Sequence, residues 1–313
     1  MLTPASVSLP DFAPDDRRIG NLVAHGQIDD HPIVVIVGFP SDRGVQLNGG
    51  RPGAALGPAA VRNALYRMTP GSAGAKFYKR IVDIGDVQVT GDVAFDQDLL
   101  AATVAPFLES GVICVILGGG HETAYGHYLG YVANDVAPRV INWDAHADVR
   151  VPIEGHPTSG SSFYLALNHE THPTPNYTAA GLLPHCVSAS HVDLLHGTRC
   201  THLWRADIDG AAIDEIYSES SGPTMVSFDL DAVDQAFAPG VSAPAVGGLD
   251  TDTWFHAAYC AGLSNFVSSM DVCELNPIHD LDGRTARVAG LTVWNFISGC
   301  AGRFGVQRFI RSK

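Results

Sequence analysis

Asp144, His146 and Asp148 alternate along the segment that follows the apolar run at residues 139–143. On extended backbone the side-chain period is two, so these three groups point the same way. Carboxylates held that close repel one another unless a cation or a proton lies between them. The pattern recurs at Asp229 and Asp231, after Ser227-Phe228, and a third apolar run (112–117) ends in Gly118-Gly119-Gly120-His121-Glu122. Taken alone, an Asp-x-His-x-Asp segment is equally well read as a polar loop. Six ligand-type side chains at the ends of three apolar runs predict instead one carboxylate-rich centre holding two ions: His121, Asp144, His146, Asp148, Asp229 and Asp231. Hard oxygen donors with two imidazoles suit Mn²⁺, and also Fe²⁺, Co²⁺ or Ni²⁺. A structural zinc site would favour thiolates, and the motifs contain none. A pair of such ions lowers the pKa of a shared water toward neutrality and readies it for attack on a polarised carbon.

The elements that must position these groups follow from the hydrophobic pattern. Strands are expected at 33–37, 112–117, 139–143, 184–188, 224–228 and 266–270, and helices at 58–68, 96–110, 122–134, 207–218, 250–262 and 285–298. Gly57-Pro58 opens the first helix and Gly111 stops the second. Continuous apolar strands alternating with helices predict an α/β fold whose mainly parallel sheet is covered on both faces. Ligands of such sheets bind beyond the carboxyl ends of the strands, where all three motifs fall. Residues 1–30, with Pro4, Pro10 and Pro14, are expected to form an arm on the surface or on a neighbouring subunit, and residues 31–313 a single catalytic domain.

Composition narrows the function classes. The chain has 313 residues, 46% of them hydrophobic and 17% charged, which is ample for a large buried core. A net charge of −14 argues against nucleic acid and against anionic membrane surfaces as partners. Neither a leader pattern nor an apolar run of membrane-spanning length is evident. Cys114, Cys186, Cys200, Cys260, Cys273 and Cys300 include no C-x-x-C pair and fit buried small hydrophobes in a reducing cytoplasm. The triple glycine fails the dinucleotide pattern because position 123 is Thr. A serine-hydrolase elbow is absent.

The three motifs, in order, resemble those of the ureohydrolase (arginase/agmatinase) family over about residues 33–300. The resemblance implies a three-layer α/β/α domain, usually assembled as a trimer or hexamer. It also implies one metal held by His121, Asp144, Asp148 and Asp229, and a second by His146, Asp144, Asp229 and Asp231, with Asp144 and Asp229 bridging. Within the family, the segments 41–54 and 120–127, together with Glu274-Leu275-Asn276-Pro277, resemble formimidoylglutamases in particular. Thr158-Ser159-Gly160-Ser161 matches their Ser-Gly pattern, which places Ser159 where arginases carry a proton-shuttling histidine; His156, three residues earlier, is the candidate to replace that histidine in part. The chain departs from the pattern at Ser161-Ser162, at Ala189-Ser190 in the Val-Ser-Arg loop, at Arg43 and at Gln235.

The expected reaction is hydrolysis of the C–N bond of N-formimidoyl-L-glutamate to L-glutamate and formamide. Asp148 would relay the proton to the leaving amine, and Glu274 would pair with the amidinium. The two substrate carboxylates call for cations: Arg150 first, then Arg43 and Arg51, with Asn48 and Ser159 as polar contacts. The nearest alternative is a guanidino hydrolase releasing urea from arginine, agmatine or guanidinobutyrate. A mononuclear deacetylase would need fewer carboxylates, and a dead relative would not need all six ligands.

Overall fold

The computed structural model describes residues 2–5, 7, 15–26, 32–197, 199–218 and 222–305. Its strands are β1 (Leu2–Thr3), β2 (Ala24–His25), β3 (Val34–Phe39), β4 (Ile81–Val87), β5 (Ile113–Gly118), β6 (Arg139–Trp143), β7 (Tyr177–Leu182), β8 (Cys200–Trp204), β9 (Thr224–Asp229) and β10 (Val267–Cys273). The helices are α1 (Arg43–Leu47), α2 (Gly57–Leu65), α3 (Gly74–Tyr78), α4 (Val93–Glu109), α5 (Thr123–Val132), α6 (Ser162–Leu167), α7 (Ala189–Leu195), α8 (Gly210–Ser218), α9 (Thr251–Leu263) and α10 (Arg284–Arg303). The strands form one sheet in the order β1-β4-β3-β5-β10-β9-β6-β7-β8, with β2 also on β4. Among the described strands, only β1 runs antiparallel to its neighbour.

Side-chain alternation builds the three layers. Val34 and Ile36 of β3, with Ile113, Val115 and Leu117 of β5, face a core shared with α2, α8, α9 and α10. Val35, Val37, Cys114 and Ile116 face the opposite way, toward Leu100 and Val104 of α4. Further along that second face, Tyr128 and Tyr131 of α5 and Phe163 of α6 cover Val140, Tyr177 and Met225. The result is the expected three-layer α/β/α sandwich. Asp92 and Asp250 cap α4 and α9 by accepting the Phe95 and Thr253 amide protons at 3.1 and 2.9 Å. The caps therefore set the start of α4 three residues earlier than the hydrophobic pattern suggests.

Several features depart from expectation, among them β8, where no strand is expected. Residues 184–188 are a turn; the strand is β7, further upstream, and the small residues of Tyr177-Thr-Ala-Ala-Gly-Leu182 conceal it although all six are buried. Strand β4 is interrupted by Asp83, Gly85 and Asp86, so it carries little apolar signal. Much of 1–30 lies outside the described residues. Of the part described, Leu2–Thr3 pairs with β4, and Ile19 and Leu22 are buried in the core.

Candidate metal centre

Four neighbouring strands, β5, β10, β9 and β6, deliver acidic and imidazole groups to one place at their carboxyl ends. His121 lies three residues beyond β5, Glu274 follows β10, Asp229 ends β9 and Asp144 follows β6. The chain then turns on its own carboxylates. Asp144 Oδ1 accepts the His146 amide proton at 2.7 Å, and Asp229 Oδ1 accepts that of Asp231 at 2.8 Å. These two short turns bring a second functional side chain to each strand end.

The six side chains converge. His121 Nδ1 lies 2.8 Å from Asp148 Oδ2, 2.9 Å from Asp229 Oδ2 and 3.5 Å from Asp144 Oδ2. His146 Nδ1 lies 3.1 Å from Asp231 Oδ2 and 3.4 Å from Asp144 Oδ1. One donor atom each of His121, Asp144, Asp148 and Asp229 falls within 4.8 Å of the others, and Asp144, His146 and Asp231 form a second such group. Asp144 is common to both, whereas Asp229 belongs to the first group only.

This charge is not balanced from within. Asp231 Oδ1 and Glu274 Oε2 are buried without a hydrogen-bond partner. Burial, and then the Asp231 charge, push Asp229 well above the usual carboxylate range. Burial likewise raises Asp231 to about 6. Burial followed by the Glu122 and Asp231 charges takes Glu274 up to about 8. Asp144 goes the other way: hydrogen bonds from both histidines overcome its burial and hold it below the usual range. The Asp231 charge raises His146. Burial alone would lower His121, but Asp229 and the other carboxylates raise it well above the ordinary value. Such a pocket draws in positive charge, and the donor set fits divalent ions that prefer oxygen and imidazole nitrogen.

The backbone is strained where the acids are aimed. Asp148 and Glu274 take φ of +47° and +69°, a left-handed region unusual for residues other than glycine. The triple glycine has a packing cause. A Cβ at Gly119 would sit 1.9 Å from the Ser41 carbonyl oxygen, and one at Gly120 would sit 2.2 Å from Glu122 Oε2. Glu122 accepts from the Gly44 amide at 2.8 Å and the Ser41 hydroxyl at 3.1 Å, which anchors α1 at the pocket rim.

Beneath the cluster a polar row crosses the sheet. Pairing register places Asn142 of β6 beside Ser227 of β9, and Ser227 beside Asp271 of β10. The Ser227 hydroxyl donates to Asp271 Oδ1 at 2.5 Å, so its oxygen is left to accept from His121 Nε2–H at 2.8 Å. In the neutral ring that a cation would bind, this arrangement keeps the proton on Nε2 and frees Nδ1 as the ligand atom. Asp271 Oδ2 lies 2.7 Å from His127 Nδ1, and His127 Nε2 lies 2.5 Å from Ser269 Oγ. Phe163 meets the His121 ring edge-on at 5.4 Å, and Asn142 donates to Asp144 Oδ2 at 3.0 Å. Asp271, His127, Asn142 and Phe163 were not singled out from sequence as site residues. Their signal is polar residues inside apolar strands, which becomes specific only once strand order is known.

The remaining expected residues divide between two cavities. A cavity of about 290 Å³ is lined by His121, His146, Asp148, Asp229 and Asp231, with Asp144 buried behind them, and by Glu274, Asn48, Arg51, Arg150 and Ser159. Arg150 donates to Asn48 Oδ1 at 3.0 Å, and Asn48 Nδ2 donates to Ser159 Oγ at 3.2 Å. Gly160 lets this arrangement form, since a Cβ there would press on Arg150 Cδ at 2.9 Å. Arg51 spends its guanidinium on the Val241 and Ser242 carbonyls, so it shapes the wall of the cavity. His156 and Arg43 line a separate cavity beside Asp92 and Pro157. The isolated bridge between Ile153 and His156 turns that imidazole to the surface, and Arg43 bonds Gln46 at 3.2 Å. Neither belongs to the acidic cavity.

Comparison with known proteins agrees with this geometry. The sequence model of the arginase family matches residues 33–298. The chain is 34% identical over 280 residues to the formimidoylglutamase of Rhodococcus jostii (strain RHA1), covering 84% of this chain and 85% of that protein. It is 35% identical over 274 residues to that of Nocardia farcinica (strain IFM 10152), covering 84% and 86%. Among solved structures, the Trypanosoma cruzi formiminoglutamase with Mn²⁺ superposes with a TM-score of 0.85 at 29% identity, over 92% of this chain and 100% of that one.

Proposed function

The chain belongs to the arginase family, and from that premise we propose that it hydrolyses N-formimidoyl-L-glutamate to L-glutamate and formamide with two Mn²⁺ ions bound. The observation that carries the reading is one cavity joining an unbalanced His/Asp cluster, the unpartnered Glu274 carboxylate oxygen and the Arg150–Asn48–Ser159 group. Its closeness to formimidoylglutamases supports the substrate.

His121, Asp144, Asp148 and Asp229 would hold one ion, and His146, Asp144, Asp229 and Asp231 the other. When bound, the ions supply Lewis-acid activation of water and offset the carboxylate charge. Glu274 receives the substrate amidinium on Oε2 while the His121 amide holds Oε1 at 2.8 Å. A cation there brings Glu274 back from its raised value into the charged form. The carboxylate of Asp148 accepts the proton released from the attacking water and returns it to the departing amine of glutamate. Arg150, steadied by Asn48, takes a substrate carboxylate, and Ser159 adds a hydroxyl contact.

Six unpaired cysteines fit a cytoplasmic setting. No helix among the described residues is long and apolar enough to cross a membrane. The family resemblance supports a trimer or hexamer. The test is a product assay on Mn²⁺-loaded protein. Formamide and glutamate from the formimidoyl substrate, with no urea from arginine or agmatine, are expected. Urea without formamide would replace this reading with a guanidino hydrolase.

A further inference from the structure

We propose that Asp214, His256 and Cys260 form a separate binding site for a zinc-like divalent cation, which clips α8 to α9. None of the three lines the acidic cavity. Asp214 lies on α8, and His256 and Cys260 are one helical turn apart on α9, so two donors share a face and the third comes from the helix packed beside it.

The geometry is close to what such an ion needs. Cys260 Sγ is 3.7 Å from Asp214 Oδ1 and 3.7 Å from His256 Nε2, and His256 Nε2 is 3.8 Å from Asp214 Oδ1. Ordinary zinc bond lengths in a tetrahedron give edges of roughly 3.5 Å for sulfur to nitrogen or oxygen and roughly 3.3 Å for nitrogen to oxygen. The triangle therefore needs to contract by only a few tenths of an ångström, and two of its corners are surface side chains with room to adjust. The Asp214 and His256 side chains are 73% and 39% exposed, while Cys260 is a 9% exposed anchor. Among the described residues, Asp214 and His256 have no side-chain hydrogen-bond or ion-pair partner outside the long contacts of this triangle.

One thiol, one imidazole and one carboxylate make a three-ligand set with a fourth position open to solvent, which suits Zn²⁺ or Co²⁺ better than Mn²⁺. Burial, then the Asp214 charge, raises the Cys260 thiol to about 12, so cation binding displaces a proton from sulfur. The consequence lies in the fold. Helix α8 carries Ile213, Ile216 and Tyr217 into the core, and α9 carries Trp254, so the cation ties together two elements of one layer.

The experiment uses full-length protein first loaded with Mn²⁺ and then titrated with Co²⁺, following the sulfur-to-cobalt charge-transfer absorption. None of the expected residues of the acidic centre is a thiol, so the band reports on the second site whatever the enzyme's substrate. The band is expected in the unaltered protein and in Cys186→Ser, a control because the Cys186 thiol neighbours His146. It is expected to vanish in Cys260→Ser. In Asp214→Asn and His256→Ala, surface changes that leave the core intact, Co²⁺ affinity is expected to fall roughly tenfold or more. No band in the unaltered protein, a band that survives Cys260→Ser, or unchanged affinity in both surface variants would overturn the site.

Discussion

Two clusters of buried charge stand in the same sheet, one on β4 and the other at the carboxyl ends of β5, β10, β9 and β6, and they are resolved in opposite ways. At β4, Arg62 donates to both oxygens of Asp83, at 2.8 and 3.0 Å, and to Asp86 at 2.5 Å. Asp83 also accepts from the Tyr66 hydroxyl at 2.5 Å and the Gly85 amide at 3.0 Å. Each side-chain nitrogen and oxygen of Arg62 and Asp83 has a partner, and the adjoining carboxylates raise the guanidinium pKa against the effect of burial. At the strand ends, four aspartates and Glu274 face two imidazoles, and two carboxylate oxygens have no partner at all. A buried charge is tolerated only when compensated. The first cluster is completed by the chain itself and serves the fold. The second is completed only by what binds there, which marks it as the site of function.

The comparison can be broken at either cluster, and the largest effect belongs to catalysis. Asp148→Asn, which keeps a side chain tolerant of the left-handed backbone, should lower kcat by roughly 10²–10⁴-fold at saturating Mn²⁺. A loss smaller than tenfold, measured by formamide release, would remove Asp148 from the proton path. Next comes Arg62→Met, which leaves Asp83 buried and uncompensated. It should cost about 3–5 kcal/mol in unfolding free energy by denaturant titration while Mn²⁺ affinity in the folded enzyme stays unchanged. If stability hardly moves, the Arg62 cluster is not the self-contained unit described.

A variant of the polar row probes the join between the two kinds of role. Asp271→Asn loosens the Ser227–His121 arrangement without touching the pocket, and should weaken Mn²⁺ binding by roughly 10–100-fold in a calorimetric titration. Unaltered affinity would show that His121 is oriented by its carboxylate neighbours alone. The smallest effect is expected of Arg150→Met, which should raise KM for the formimidoyl substrate by roughly tenfold, the loss of one exposed charged contact, and leave metal content intact. Equal kinetics would place the substrate carboxylates elsewhere in the cavity.

What could be read in the chain was whatever repeats at short range. The alternate spacing of Asp144, His146 and Asp148, and of Asp229 and Asp231, marked both acidic strand ends, but these groups converge through side-chain-capped turns and a left-handed Asp148 and not along the extended backbone expected. Continuous apolar runs marked β3, β5, β6, β9 and much of β10, and with them a parallel sheet between helices. β4 and β7 were hidden because their residues answer to distant partners: Asp83 and Asp86 to Arg62, and Tyr177 to the Ala147 carbonyl and Phe163.

The amino-acid sequence thus determined which side chains gather in the acidic centre, because residue type and local spacing are written in consecutive residues. Tertiary structure alone decided that β10 and β9 insert between β5 and β6, which brings Glu274 and Asp271 to the centre. It also decided that His156 and Arg43 fall in another cavity while Arg150 remains. Strand order and loop path are set by packing between segments far apart in the chain, and local spacing carries no record of them.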